Sequence, residues 1–105
     1  MLETIKKLLG IGPTIDLGVL IAAGALIVDV RSKGEFAGGH VKGSINIPLD
    51  QLSSNLKKLK AKEHPIITCC ASGMRSASAK ALLKAQGYLH VHNGGSWYKV
   101  NQYCK

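Results

Sequence analysis

With 105 residues, the chain is long enough for one domain and a modest core. A hydrophobic share of 46% beside a net charge of +8 excludes a disordered chain and describes a basic globular one. The excess charge is mostly lysine, with Arg31 and Arg75 the only arginines, and Phe36, Tyr88, Trp97, Tyr98 and Tyr103 form no stripe. That pattern fits solvated lysines that steer small anions and excludes a nucleic-acid surface from the expectation.

In chain order, Leu2, Ile5, Leu8 and Leu9 recur at helical spacing with Lys6 and Lys7 opposite. This predicts a helical N-terminal extension over residues 1–13, stopped by the run from Gly10 to Pro13 and packed rather than membrane-bound. Ile15 is a candidate short edge strand. Thr14 or Asp16 can cap a helix reaching about Ala23, with Gly24 as its stop. The apolar run from Ala25 to Val30, broken by Asp29, suits a strand covered on both faces. Ser32 and Glu35 stand at capping-box spacing and open a short helix containing Phe36, closed by Gly38 and Gly39. Ser44 to Pro48 reads as a short strand. Asp50 or Ser53 can cap a helix with Leu52, Leu56 and Leu59 on one face and Lys57, Lys58, Lys60 and Lys62 on its wet side.

Pro65 opens a β-branched strand that ends in Cys69 and Cys70. The helix after it is expected to pack close to the sheet through Ala77, Ala81, Ala85 and Leu82, with Gly87 at its C-terminus. Tyr88 to His92 reads as the next strand, Asn93–Gly95 as a turn, and Ser96 as the cap of a last helix carrying Trp97, Tyr98 and Val100. Strands alternating with helices predict an α/β domain with a mostly parallel sheet.

The stretch from Ile66 to Ser76 is the informative one. A thiol at the carboxyl end of a strand, a glycine-containing loop and a helix start bring backbone amides and a helix dipole toward one sulfur, and both lower a thiol pKa. Gly73 permits a positive φ or a close approach. Arg75 offers a planar fork for an oxyanion. Two readings stand on these residues alone: a reactive-thiolate cradle for a small anion, or a buried structural cysteine before an ordinary helix.

Three cysteines, Cys69, Cys70 and Cys104, without framework spacing argue against a disulfide scaffold and for reduced thiols in a cytoplasmic setting. His90 and His92 alternate as strand neighbours do, but no third ligand accompanies them, so no metal is expected. The apolar run from Leu17 to Val28 is too short to span a bilayer. Ala23-Gly24-Ala25 resembles a signal-peptidase site, but Glu3, Asp16 and the break at Gly10–Pro13 argue against a leader.

Taken together, Ile27-Val28-Asp29-Val30-Arg31, Glu35-Phe36, Gly39-His40-Val41-Lys42-Gly43-Ser44-Ile45-Asn46-Ile47-Pro48, Cys70-Ala71-Ser72-Gly73-Met74-Arg75-Ser76, Gly87-Tyr88 and Asn93-Gly94-Gly95-Ser96-Trp97 resemble a single-domain rhodanese, in order and with family-like spacing from about Ile15 to Trp97. The resemblance implies a rhodanese-like α/β fold, with a central, mostly parallel sheet of four to five strands and helices on both faces. It implies a thiosulfate or persulfide sulfurtransferase that needs no cofactor. Carried over by position, Cys70 rather than Cys69 is the persulfide-forming nucleophile. Ala71, Ser72, Gly73, Met74, Arg75 and Ser76 form the substrate-binding loop. Asp29 and Arg31 shape the site by holding loops, His40 is a hydrogen-bonded turn residue, and Trp97 is core or pocket wall.

The implied partners are a small anionic donor such as thiosulfate and a thiol or cyanide acceptor, with an acidic protein partner as an option for the lysine surface. The chain is expected to be monomeric, with no nucleic acid and no membrane. Phosphatase or arsenate chemistry on the same fold is the enzymatic rival, but Cys70 and Arg75 stand as C-x4-R, one residue shorter than the C-x5-R of cysteine phosphatases. A persulfide carrier or interaction module is the alternative of a different class.

Overall fold

The structure, a computed structural model, describes residues 16–104; the helical extension expected over residues 1–13 and the edge strand at Ile15 lie outside them. Asp16 caps α1 (Leu17–Ala22), its carboxylate accepting the Gly18 amide at 2.8 Å. Gly24 then turns the chain at φ +96° into β1 (Leu26–Asp29). The helix α2 (Lys33–Ala37) opens on the expected capping box, Ser32 and Glu35 each accepting the other's backbone amide. β2 (Ile45–Asn46), β3 (Ile66–Cys70), α3 (Met74–Ala85), β4 (Val91–Ser96) and α4 (Trp97–Gln102) complete the order. Ser96 caps α4 by accepting the Lys99 amide.

The four strands among the described residues are all parallel, in the order β2-β1-β3-β4. Side chains alternate across a strand, so the apolar runs of β1 and β3 feed two cores. Val28, Ile66 and Cys70 join Leu52, Ala79, Leu83 and Val91 beneath α3. Ile27, Ile67 and Cys69 join Leu17, Val41 and Val100 beneath α1 and α4. Helices thus cover both faces, as an all-parallel sheet requires.

Three local expectations are corrected. Residues 49–58 form two 3₁₀ segments, Leu49–Ser54 and Leu56–Lys58, not one helix capped by Asp50 or Ser53. The run breaks at Asn55, which leaves helical backbone angles and whose side chain donates to the Gln51 carbonyl at 2.7 Å. Leu52 and Leu59 still reach the core. On α3 the buried stripe is Ser76, Ala79 and Leu83, while Ala77, Ala81 and Ala85 face solvent. The sheet-facing row begins with a polar residue because that residue serves the site described below.

The third correction concerns β4. Asn93, Gly94 and Gly95 are strand residues, not a turn, and Tyr88 precedes the strand. Thr68 pairs with Asn93 and Cys70 with Ser96, so β4 carries one extra residue here, with Gly95 at φ +80°. Gly94 is required by crowding: a Cβ there would lie 2.6 Å from Val100 Cγ2, 2.8 Å from Ile67 Cγ2 and 3.0 Å from the Thr68 carbonyl oxygen. Among the described residues, no helix is long and apolar enough to cross a membrane.

Gly94→Ala should lower stability by about 1–3 kcal/mol, the usual range for overpacking. Gly34→Ala, in a helix where a new Cβ meets nothing within 4 Å, should leave stability unchanged or raise it by up to ~1 kcal/mol. Urea unfolding of the two variants checks both signs.

Candidate active site

A helix start leaves its first amides without partners, and a side-chain oxygen at the N-cap ordinarily accepts one of them. The N-cap of α3 is Gly73, which has no side chain and sits at φ +104°. The Cys70 sulfur, three residues earlier at the carboxyl end of β3, takes that place. The Gly73 amide donates to Sγ at 2.9 Å and the Ser76 amide at 3.4 Å. The Ser76 hydroxyl lies 3.5 Å from Sγ, able to accept from the thiol or donate to the thiolate. Burial alone pushes the Cys70 thiol up, but the Ser76 hydroxyl and the Ser76, Gly73 and Ser72 amides outweigh it, and the net shift is below the ordinary thiol value. Cys70 has no exposed surface, whereas Ala71, Ser72 and Met74 of the overlying loop are exposed.

Cys69 points to the other face of the sheet, fully buried, and burial pushes its thiol up to about 12. Cys104 packs against that same far core, and burial raises its thiol as well. Of the three sulfurs, only Cys70 faces inward-turned amides.

Asp29 and Arg31 make a buried pair: Arg31 NH2 donates to Asp29 Oδ2 at 2.7 Å, and Nε donates to both carboxylate oxygens at 3.0 Å. The other guanidinium contacts go to the Gly39 carbonyl at 2.7 Å and the Glu35 carbonyl at 3.3 Å, and its face covers Trp97 at 4.8 Å. Asn46 donates to the Asp29 and Arg31 carbonyls, tying in β2. The pair therefore fixes the end of β1 to α2 at Glu35 and to the turn after it at Gly39, and does not touch the sulfur. His40 stacks on Phe36 at 3.7 Å and bonds its carbonyl at 2.7 Å, as a turn residue does.

Arg75, expected to present its fork to an oxyanion, spends it on Glu35 instead, at 2.8 and 3.0 Å. Glu35 thus serves twice, as the capping-box carboxylate of α2 and as the clasp on the first turn of α3. The Arg75 bonds, followed by the Ser32 amide, lower its carboxyl to about 2. Beside Arg75 opens a mostly apolar cleft of ≈ 380 Å³ lined by Val30, Ser32, Pro48, Leu49 and Asp50. Thr68 and Asn93 complete the support. Thr68 Oγ1 donates to the Ser76 carbonyl at 2.9 Å, and Asn93 reaches Ser76 and Gly73 from β4. Neither had a sequence signal of its own: Thr68 reads as a strand residue and Asn93 as turn chemistry.

A family model described as the rhodanese-like domain matches residues 16–100. The chain is 35% identical over 69 residues to thiosulfate sulfurtransferase PspE of Escherichia coli (strain K12), covering 65% of the chain and 66% of that protein. It is 38% identical over 71 residues to thiosulfate sulfurtransferase GlpE of Stutzerimonas stutzeri (strain A1501), covering 68% of the chain and 64% of that protein. Across five of the bacterial relatives it matches, the chain spans 48–66% of their length. Among solved structures, the human single-domain sulfurtransferase TSTD1 superposes with a TM-score of 0.72 at 29% identity, covering 84% of the chain and 94% of that structure.

The clasp has a pH signature. A carboxyl lowered on folding stabilises the native state above its ordinary value of 4.5, and the contribution is lost as pH falls toward about 2. Thermal unfolding should therefore show wild type more stable than Glu35→Gln at neutral pH, with the gap closing progressively below pH 4.5 and gone near pH 2.

Proposed function

This chain belongs to the rhodanese-like domain family, and we propose that it is a sulfurtransferase that carries a sulfane sulfur on Cys70. The observation that carries this reading is the convergence of the Gly73 and Ser76 amides and the Ser76 hydroxyl on the Cys70 sulfur. Those donors favour an anion on that atom, whether thiolate or persulfide.

The chemistry follows from the donors. The Cys70 thiolate attacks the outer sulfur of thiosulfate. A bond forms between the two sulfurs, the bond to the sulfonate breaks, and sulfite leaves with the electron pair. Cys70 is left as a persulfide anion, its charge held by the same amides. A thiolate or cyanide then takes the outer sulfur and returns the Cys70 thiolate, which is two-step covalent catalysis. No general base is required, because the thiol is already acidified. Cys70 is fully buried, so the donor reaches it as the loop bearing the exposed Ala71 and Ser72 yields. Arg75 draws the dianionic donor to the rim, in exchange with Glu35, before the sulfur is reached. The apolar cleft beside Arg75 and the exposed Met74 suit an acceptor with an organic body, a small-molecule or protein thiol, over cyanide.

Intact-mass measurement after thiosulfate treatment should show a gain of about 32 Da, one sulfur atom, on wild type and on Cys69→Ala. Cys70→Ser should show none and should lose sulfur transfer. A sulfur retained by Cys70→Ser and lost by Cys69→Ala would move the nucleophile to the other thiol.

Arg75→Ala removes a half-exposed pair that contributes little to folding. It should leave the thermal midpoint within a few degrees of wild type while raising the KM for thiosulfate roughly tenfold, the effect of losing one charged contact. The KM for a thiol acceptor should change much less. A large loss of stability with an unaltered KM would make Arg75 a structural residue.

A further inference from the structure

Asn93 bridges β4 to the cradle through both polar atoms of its side chain. Its Oδ1 accepts the Ser76 hydroxyl at 2.6 Å and the Gly95 amide at 2.9 Å, and its Nδ2 donates to the Gly73 carbonyl at 3.3 Å. The two backbone partners settle which end is which, because an amide N–H can only donate and a carbonyl can only accept. The extra residue in β4 and the positive φ of Gly95 bring the Gly95 amide round to that oxygen.

Ser76 has a single hydroxyl proton and three acceptors within reach: Asn93 Oδ1 at 2.6 Å, the Gly73 carbonyl at 3.0 Å and Cys70 Sγ at 3.5 Å. While the sulfur is a neutral thiol, the shortest contact holds that proton, and Ser76 Oγ is left to accept from the thiol. Once the sulfur is an anion it becomes a far stronger acceptor, and the proton gains by turning to it. The turn orphans nothing: Asn93 Oδ1 keeps the Gly95 amide, and the Gly73 carbonyl keeps Asn93 Nδ2.

We propose that Asn93 is a positioning residue of this site, whose side-chain amide holds the Ser76 hydroxyl away from a neutral Cys70 and releases it, without leaving an unpaired group, to the sulfur anion. Asn93 acts through Ser76 and does not touch the sulfur. The inference rests on the reading of Cys70 as the reacting thiol, but its test follows ionisation and not sulfur transfer, so the two stand or fall separately. The charged groups around the cradle are Arg75 of α3, held by Glu35 of α2, Asp29 of β1, held by Arg31, and Lys99 of α4, whose stem runs past Gly95.

The test is the pH titration of the Cys70 thiolate by its ultraviolet absorbance, in the full chain carrying Cys104→Ser. Cys69, held up near 12, stays silent over the range read. A carboxylate at position 93 holds the Ser76 proton permanently. Asn93→Asp should therefore raise the midpoint by about one pH unit, tenfold in thiolate fraction at a fixed pH below it. In a Ser76→Ala background, the same Asn93→Asp change should give a clearly smaller rise, the remainder being the direct effect of the new carboxylate charge. An unmoved midpoint in the first case, or an equal rise with and without Ser76→Ala, overturns the proposal, the second by showing a through-space effect of charge. If Asn93→Asp fails to fold, the cycle is run with Asn93→Leu. Its shift must be present with Ser76 and absent with Ser76→Ala, and a shift indifferent to Ser76, or none, overturns the proposal.

Discussion

A sulfur atom stands here where helix starts usually place an oxygen. Every α-helix presents unpaired amides and a positive dipole end at its first turn. At α3 the N-cap is a glycine with nothing to offer, and the sulfur of Cys70 receives the Gly73 and Ser76 amides instead. Folding and the acidity of the thiol therefore share one contact. The helix gains an acceptor, and the thiol gains donors that make it acidic despite complete burial. Most of the remaining polar structure keeps those few residues in place.

It does so from three sides. Thr68, on the same strand face as Cys70, holds the Ser76 carbonyl. Asn93 holds the Ser76 hydroxyl and the Gly73 carbonyl from β4. Glu35 clasps Arg75 from α2, and α2 is itself fixed to the end of β1 by the buried Asp29–Arg31 pair. Removing one member of a buried pair leaves an uncompensated charge, which is why Asp29 and Arg31 belong to the architecture of the site although neither meets the sulfur.

Local physics was readable in the sequence wherever it was local. The Ser32–Glu35 capping box, the Ser96 cap, the stop at Gly24 and the two-sided apolar runs of β1 and β3 each depend on neighbours a few residues apart. The same holds for the thiol, glycine and helix start of residues 70–76. What was misread depends on contacts distant in sequence. Asn93-Gly94-Gly95 has turn composition, and only Val100, Ile67 and Thr68 crowding in from other elements make it a strand. Alanines on α3 carry no directional signal, and the buried stripe starts at a serine. Arg75 looked like a free fork because its partner, Glu35, lies 40 residues earlier and already had an assigned task in its own helix.

If Cys70 carries a sulfur as proposed, the alternation of β3 bears on how long that sulfur stays. Adjacent thiols invite the thought that one could discharge the other. Here a sheet separates them: Cys70 lies on the α3 side, while Cys69 is buried and Cys104 half-buried on the opposite side. An outer sulfur on Cys70 has no thiol within its own molecule to collapse onto. On the proposed reading of Cys70 as the sulfur carrier, transfer would wait for an acceptor from solution.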